Sequence, residues 1–182
     1  AGRHAVAGRG EAERAIVSAT EFFPDWSRTP ASERAAFMFR AADIMRRRRT
    51  ELAAWEVFEV GKGWREADAD VAEAIDYLEY YGREMLRLSE PRVTQKLPGE
   101  NNVYFYEPRG VAAVIAPWNF PLAILTGMTA AALVTGNCTV IKPAEQSPVM
   151  GALLMEILRE AELPPAACQL VQGRGELGAY LV

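Results

Sequence analysis

The second half of the chain limits its fold most, because short unbroken apolar runs alternate there with helical segments. Val111 to Ile115 is a continuous apolar run, Leu122 to Val134 an Ala- and Leu-rich helix, and Thr139 to Ile141 a second short strand. Val149 to Ala161 reads as a second helix and Cys168 to Val171 as a third strand, and a third helix opens at Glu176. A half-exposed strand alternates apolar and polar residues, whereas an apolar strand without alternation is buried on both faces. Alternation of such strands with helices predicts a βαβαβ unit, a parallel sheet covered on both sides. The pattern stops at Val182 inside the third helix. The expected sheet is thus incomplete, with an edge that further residues or a partner would cover.

Ahead of this unit, residues 11 to 88 carry helical periodicity. Apolar side chains recur at three- and four-residue spacing in Ala12, Ala15, Ile16 and Ala19, in Ala35, Phe39, Ala42 and Met45, and in Val71, Ala74, Ile75 and Leu78. Pro24 and Pro30 are expected to bracket a break, with Thr29, Pro30 and Glu33 as the start signal of the next helix. Gly61 and Gly63 separate the following pair. From Pro91 the texture changes to two β-prone runs, Arg92 to Leu97 and Val103 to Tyr106, joined through Pro98 to Asn102. These predict a hairpin or a pair of edge strands.

Charge and cysteine usage exclude several functions. A net charge of -4 and a pI near 5.2 do not suit a nucleic-acid scaffold, which needs clustered positive surface. The one basic run, Arg46 to Arg49, spans a full helical turn, so its side chains diverge instead of forming a patch. There is no apolar stretch long enough to cross a membrane and no signal-peptide pattern, which makes a cytoplasmic protein the default expectation. Cys138 and Cys168 are far apart, belong to no C-x-x-C pair and stand in apolar strands, where a thiol is an inert core residue; no metal site is expected. His4 is the only histidine. Triad chemistry therefore lacks a base, and a histidine so near a terminus is solvated.

Three segments stand where strands end and helices begin, the position at which open α/β sheets bind ligands. In the first, Ala116-Pro117-Trp118-Asn119-Phe120-Pro121, two prolines fix the backbone around an asparagine. A held amide is a donor suited to an oxyanion; the same residues also make a rigid turn with an aromatic plug. In the second, Lys142 ends a strand and Glu145 follows three residues later. One donor and one acceptor match ribose hydroxyls, although a surface ion pair uses the same residues. The third, Gly173-Arg174-Gly175-Glu176-Leu177-Gly178, fits G-x-G-x-x-G. Its glycines permit close approach of the backbone to a phosphate or an adenine-bearing ligand, or simply a tight turn.

Taken together, these segments resemble the aldehyde dehydrogenase superfamily. The likeness rests on Pro117-Trp118-Asn119-Phe120-Pro121, on Gly136-Asn137-Cys138-Thr139-Val140-Ile141 running into Lys142-Pro143-Ala144-Glu145-Gln146-Ser147-Pro148, and on Gly173-x-Gly175, in that order and spacing. It covers almost the whole chain. Phe58-Glu59-Val60-Gly61-Lys62, Ala69 to Tyr77 and Leu97 to Asn102 are most similar to the members that oxidise glutamate γ-semialdehyde to glutamate. The resemblance implies an α/β fold in which N-terminal helices and a short β-arm lead into the first half of a Rossmann-like parallel sheet. It divides the chain into residues 1–90, the helical part of the NAD-binding domain; 91–107, the arm of an oligomerisation sheet; and 108–182, the first βαβαβ part.

The same resemblance implies roles residue by residue. Asn119 donates its amide to the oxyanion formed on the aldehyde. Ala116, Pro117, Trp118, Lys142, Glu145, Gly173 and Gly175 contact NAD, with Lys142 and Glu145 on the adenosine ribose. A carboxylate beside the ribose 2′-hydroxyl favours NAD over the phosphorylated NADP. Phe120 lines the aldehyde channel, and Glu73 sits at its mouth near the α-ammonium of the substrate. A homo-oligomer, no nucleic acid and no membrane follow as partner expectations. In one departure, the family usually has three residues between the second and third glycines where this chain has Glu176 and Leu177 alone, which shifts the start of the following helix around Gly178. The family's nucleophilic cysteine and general-base glutamate are expected beyond Val182, leaving these residues inactive alone. Two other readings stay open, an aldehyde dehydrogenase for a different semialdehyde and a non-catalytic nucleotide-binding or assembly module.

Overall fold

The computed structural model describes residues 4–182. Four helices come first: α1 (Arg9–Arg28), α2 (Ala31–Arg47), α3 (Arg49–Val60) and α4 (Trp64–Leu88). An antiparallel pair follows, β1 (Arg92–Gln95) and β2 (Asn102–Tyr104). The rest is β3 (Val111–Ile115), α5 (Ala123–Val134), β4 (Cys138–Lys142), α6 (Pro148–Glu160), a 3-10 turn at Pro165–Ala167, β5 (Cys168–Leu170) and α7 (Gly175–Leu181). The expected βαβαβ unit is present, with its strands parallel and in the order β3-β4-β5. Every residue of the central strand β4 is buried, the polar Thr139 and Lys142 included.

One hydrophobic core joins the helices to the sheet, running from Ala12 and Trp26 through Met38, Met45 and Leu78 to Ile141 and Leu154. Two long-range hydrogen bonds fasten the end of α5 to the first helices. The Trp26 indole Nε1 donates to the Leu133 carbonyl at 3.1 Å, and Arg34 Nε donates to the Val134 carbonyl at 2.9 Å. A helix leaves its last carbonyls without internal partners, and these two donors satisfy a pair of them. Arg34 is buried for this purpose, and desolvation lowers its pKa.

The break between α1 and α2 lies later than the prolines suggested. Pro24 sits inside α1, which continues to Arg28. Proline forfeits the N–H bond to the preceding turn, but burial of Trp26 at the end of the helix holds the chain in register beyond it. Thr29 does not cap α2 either: its hydroxyl donates back to the Asp25 carbonyl at 3.2 Å, closing α1. The Pro30 carbonyl starts α2 by accepting from Glu33 and Arg34, each at 3.0 Å. Only Arg48 separates α2 from α3.

The arginine run disperses as expected. Arg46 pairs with Asp43 and Glu79, Arg47 with Glu160, Arg48 with Glu51 and Glu156, and Arg49 with Asp68. Each of the four guanidiniums thus faces a carboxylate of its own. The hairpin is also found, shorter than its sequence runs: Arg92 lies opposite Tyr104 and Val93 opposite Val103, with an irregularity before Gln95. Among the described residues, no helix is long and apolar enough to cross a membrane.

Candidate active site

The three sequence segments leave the sheet at one end. Ile115 lies opposite Lys142, and the Ala116 N–H donates to the Lys142 carbonyl at 3.2 Å, so the loop after β3 begins against the loop after β4. The Val171 N–H donates to the Ile141 carbonyl at 3.0 Å and brings the glycine segment to the same edge. The arrangement places all three at the carboxyl ends of parallel strands.

In the first loop Ala116 is buried, while Pro117, Trp118, Asn119 and Phe120 are exposed. The Asn119 side-chain amide makes no hydrogen bond among the described residues, and what is held is the backbone beneath it. Lys62 Nζ donates to the Asn119 carbonyl at 3.1 Å and to Asp70 Oδ2 at 3.1 Å, and it stands 4.4 Å from the centre of the Phe120 ring. The other oxygen of Asp70 accepts the Ala123 N–H at 3.0 Å, at the start of α5. Lys62 reaches this place because Gly61, at φ 72, turns the chain through the left-handed region at the end of α3.

Glu56 lies directly below. It is fully buried, neither oxygen has a hydrogen-bond partner, and Lys62 Nζ approaches at 3.8 Å. Burial first, and the neighbouring Asp70 carboxylate second, push the Glu56 carboxyl well above the usual range, against the opposing pull of Lys62. Two carboxyl groups, one retained proton and one ammonium balance to no net charge, the condition under which such a group is tolerable inside a protein.

In the second loop Lys142 is buried, with its side chain 4% exposed. Its Nζ donates to the Pro143 carbonyl at 3.0 Å and lies 4.0 Å from Glu145 Oε2. Desolvation lowers its pKa and Glu145 acts in the opposite direction. Glu145 itself is exposed, so this pair presents a carboxylate outward over a sunken ammonium. In the third segment the glycines differ. A Cβ on Gly173 would meet Leu177 Cδ2 at 2.5 Å, so a side chain there would have to displace Leu177; Gly175 has nothing within 4 Å and opens α7. Gly178 lies in the first turn of that helix beside the Lys142 stem, where a Cβ would stand 3.4 Å from Lys142 Cε, an ordinary contact distance.

Glu73 projects from α4 one turn beyond Asp70 and is exposed. It accepts the Tyr77 hydroxyl at 3.0 Å, which raises the Tyr77 pKa. Tyr77 packs in turn against Gly127 of α5, where a Cβ would come within 2.9 Å of its ring. Both thiols are unfit as nucleophiles. Burial pushes Cys138 up to about 11 and Cys168 up to about 12. His4 is exposed.

The Glu56, Lys62 and Asp70 cluster had no role in the sequence reading. Its signal was present nonetheless: Glu56 continues the buried stripe of Leu52 and Ala53, and Asp70 stands between Ala67 and Val71 on that of α4. An acid at helical spacing within an apolar face needs a buried partner.

The chain belongs to the aldehyde dehydrogenase family, whose model matches residues 1–182. A 1-pyrroline-5-carboxylate dehydrogenase of Geobacillus thermodenitrificans is 53% identical over all 182 residues. The chain spans 35% of the length of that relative. Among solved structures, 1-pyrroline-5-carboxylate dehydrogenase from Thermus with bound NAD is similar at a TM-score of 0.94 and 49% identity, over 97% of this chain and 35% of that one. Proline utilization A from Bdellovibrio bacteriovorus is similar at a TM-score of 0.95 and 48% identity, over 96% of this chain and 18% of that one.

Proposed function

We propose that the protein to which these residues belong oxidises L-glutamate γ-semialdehyde, the open form of 1-pyrroline-5-carboxylate, to L-glutamate with NAD, as a step of proline catabolism. The observation that carries this reading is the adjacency of Asn119 and the Lys142/Glu145 pair on neighbouring strand ends, in a chain about half identical to 1-pyrroline-5-carboxylate dehydrogenases. The residues present fit the cofactor. Glu145 offers an exposed acceptor for ribose hydroxyls, Lys142 a donor beside it, and Gly175 an open stretch of backbone at the same edge. Ala116, Pro117 and Trp118 would form the neighbouring wall, with Gly173 shaping the turn. Bound there, NAD supplies the hydride acceptor.

The part played by these residues in the chemistry is to orient and stabilise. As a nucleophile supplied by another part of the protein adds to the aldehyde carbon, negative charge collects on the carbonyl oxygen, and the Asn119 amide donates to it. Phe120 bounds the aldehyde channel, and Glu73, carrying its Tyr77 hydrogen bond, faces the α-ammonium of the substrate. With Cys138 and Cys168 sequestered, the nucleophilic thiol and the general base lie outside these residues, which alone produce no NADH. The exposed Val93, Tyr104, Phe105 and Tyr106 around the hairpin support an arm that pairs with a second copy in a homo-oligomer, and we place the protein in the cytoplasm.

A kinetic comparison of glutamate γ-semialdehyde with succinate semialdehyde on the full-length protein tests the substrate. A preference for the former in kcat/KM is expected, and equal efficiency would defeat the assignment in favour of another semialdehyde. Exchanging NAD for NADP should lower kcat/KM, and Glu145→Gln should narrow that gap by removing the charge that repels a 2′-phosphate.

A further inference from the structure

Lys62 joins the turn carrying Asn119 to α4 behind it. Its ammonium holds the Asn119 carbonyl and Asp70 Oδ2 and faces the Phe120 ring, while Asp70 Oδ1 holds the Ala123 N–H. Residues 119 and 123 are thereby fastened at both ends by one ion pair, and Glu56 lies beneath the ammonium at 3.8 Å. The lysine side chain is 11% exposed and both acidic side chains 0%, so the Lys62–Asp70 pair is shielded from water and from screening salt.

We infer that Lys62, held by Asp70 above Glu56, is a positioning residue that sets the place of the Asn119 amide by gripping the Asn119 carbonyl. The inference rests on the proposed oxyanion role of Asn119. Oxyanion stabilisation depends on a donor fixed before the charge develops, and a displacement of about 1 Å is enough to lose on the order of a hundredfold in rate. Among the described residues the Asn119 side chain has no hydrogen-bond partner, so the accuracy of its position derives from its backbone. The two flanking prolines restrict torsions without gripping the residue between them; the Lys62 ammonium holds the Asn119 carbonyl itself.

The experiment uses the full-length protein and follows aldehyde-dependent NADH formation in Lys62→Met, Asn119→Ala and the double variant. Lys62→Met should lower kcat about tenfold or more while KM for aldehyde and for NAD stay within about twofold, the pattern of an interaction made only in the transition state. Lys62→Arg, which keeps the charge and the donors, should restore much of the rate. The double variant should be no slower than Asn119→Ala alone, because Lys62 acts through Asn119. Losses that multiply, or a raised KM with kcat intact, would overturn the inference. An unaffected kcat in Asn119→Ala would instead sink the oxyanion reading, which separates the two failures. Should Lys62→Met not fold, Asp70→Asn carries the same test. It preserves shape and an acceptor for Ala123 but removes the charge that holds Lys62, and an unchanged kcat there overturns the inference equally.

Discussion

Glu59 accepts the backbone N–H of Val149 at 2.7 Å, and its second oxygen accepts that of Met150 at 3.0 Å, so a carboxylate from α3 closes the first turn of α6. The local residue that would normally do this, Ser147, makes no side-chain capping bond. Burial raises the Glu59 pKa while the two N–H donors pull against that shift. The second loop is fixed at the same point, since Pro143 packs where a Cβ on Gly151 would come within 2.6 Å.

Removing this cap should therefore cost stability. Glu59→Ala leaves two N–H groups of a helix N-terminus without their acceptor, and a loss of about 1–2 kcal/mol is expected. Glu59→Gln keeps one acceptor oxygen and should lose less. Urea denaturation of the two variants gives the order, and equal midpoints would refute it.

Glu56 predicts a pH dependence with a definite sign. In the folded state it retains its proton above the ordinary value of 4.5, so across the interval between that value and its raised folded one, unfolding releases a proton. Stability contributed by the protonated group is complete below 4.5 and declines as pH rises through the elevated value, by at most about 1.4 kcal/mol per pH unit. Glu56→Gln removes the titration. Its denaturation midpoint should change less than that of the parent protein between weakly acidic and alkaline buffer, and parallel profiles would exclude the assignment.

Gly173 and Gly175 should respond in opposite ways to the same methyl group. Gly173→Ala forces a contact of 2.5 Å with Leu177 and is expected to destabilise by about 1–3 kcal/mol. Gly175→Ala meets nothing within 4 Å and sits in a helix, so stability should hold or rise by up to about 1 kcal/mol. If the backbone at Gly175 approaches the cofactor, that variant should nonetheless bind NAD more weakly, which titration calorimetry measures independently of melting temperature.

The two thiols should be silent. Native protein treated with iodoacetamide at neutral pH should leave Cys138 and Cys168 unmodified, and denaturant should expose both, because burial holds each pKa near or above 11. Mass spectrometry of tryptic peptides reads the outcome, and rapid labelling of either in the native state would contradict its placement.

The parallel sheet was readable because its signal is local. Val111–Ile115 shows itself by an unbroken apolar run and Cys168–Leu170 by its place between two helical segments, and the loops that follow them are found as soon as strands are distinguished from helices. The end of α1 is not set locally: what carries the helix past Pro24 is Trp26, buried against a helix made much later in the chain. Lys62 is hidden for the same reason. The partners of that ammonium include Asn119, 57 residues away, and those of Asp70 include Ala123, 53 residues away. No periodicity reports a contact of that span. The burial of Lys142 was likewise hidden, because a lysine at a strand end reads as a free donor until Gly178 of α7 is seen to cover its stem.

The bonds from Trp26 and Arg34 to the final carbonyls of α5 also set an order of events during synthesis. Their partners are 107 and 100 residues further along the chain. While the ribosome is still making the hairpin, the Trp26 indole and the Arg34 Nε have no α5 carbonyl to donate to, and the packing of the first helices stays provisional. Emergence of Leu133 and Val134 is the moment at which the first helices acquire their permanent anchor.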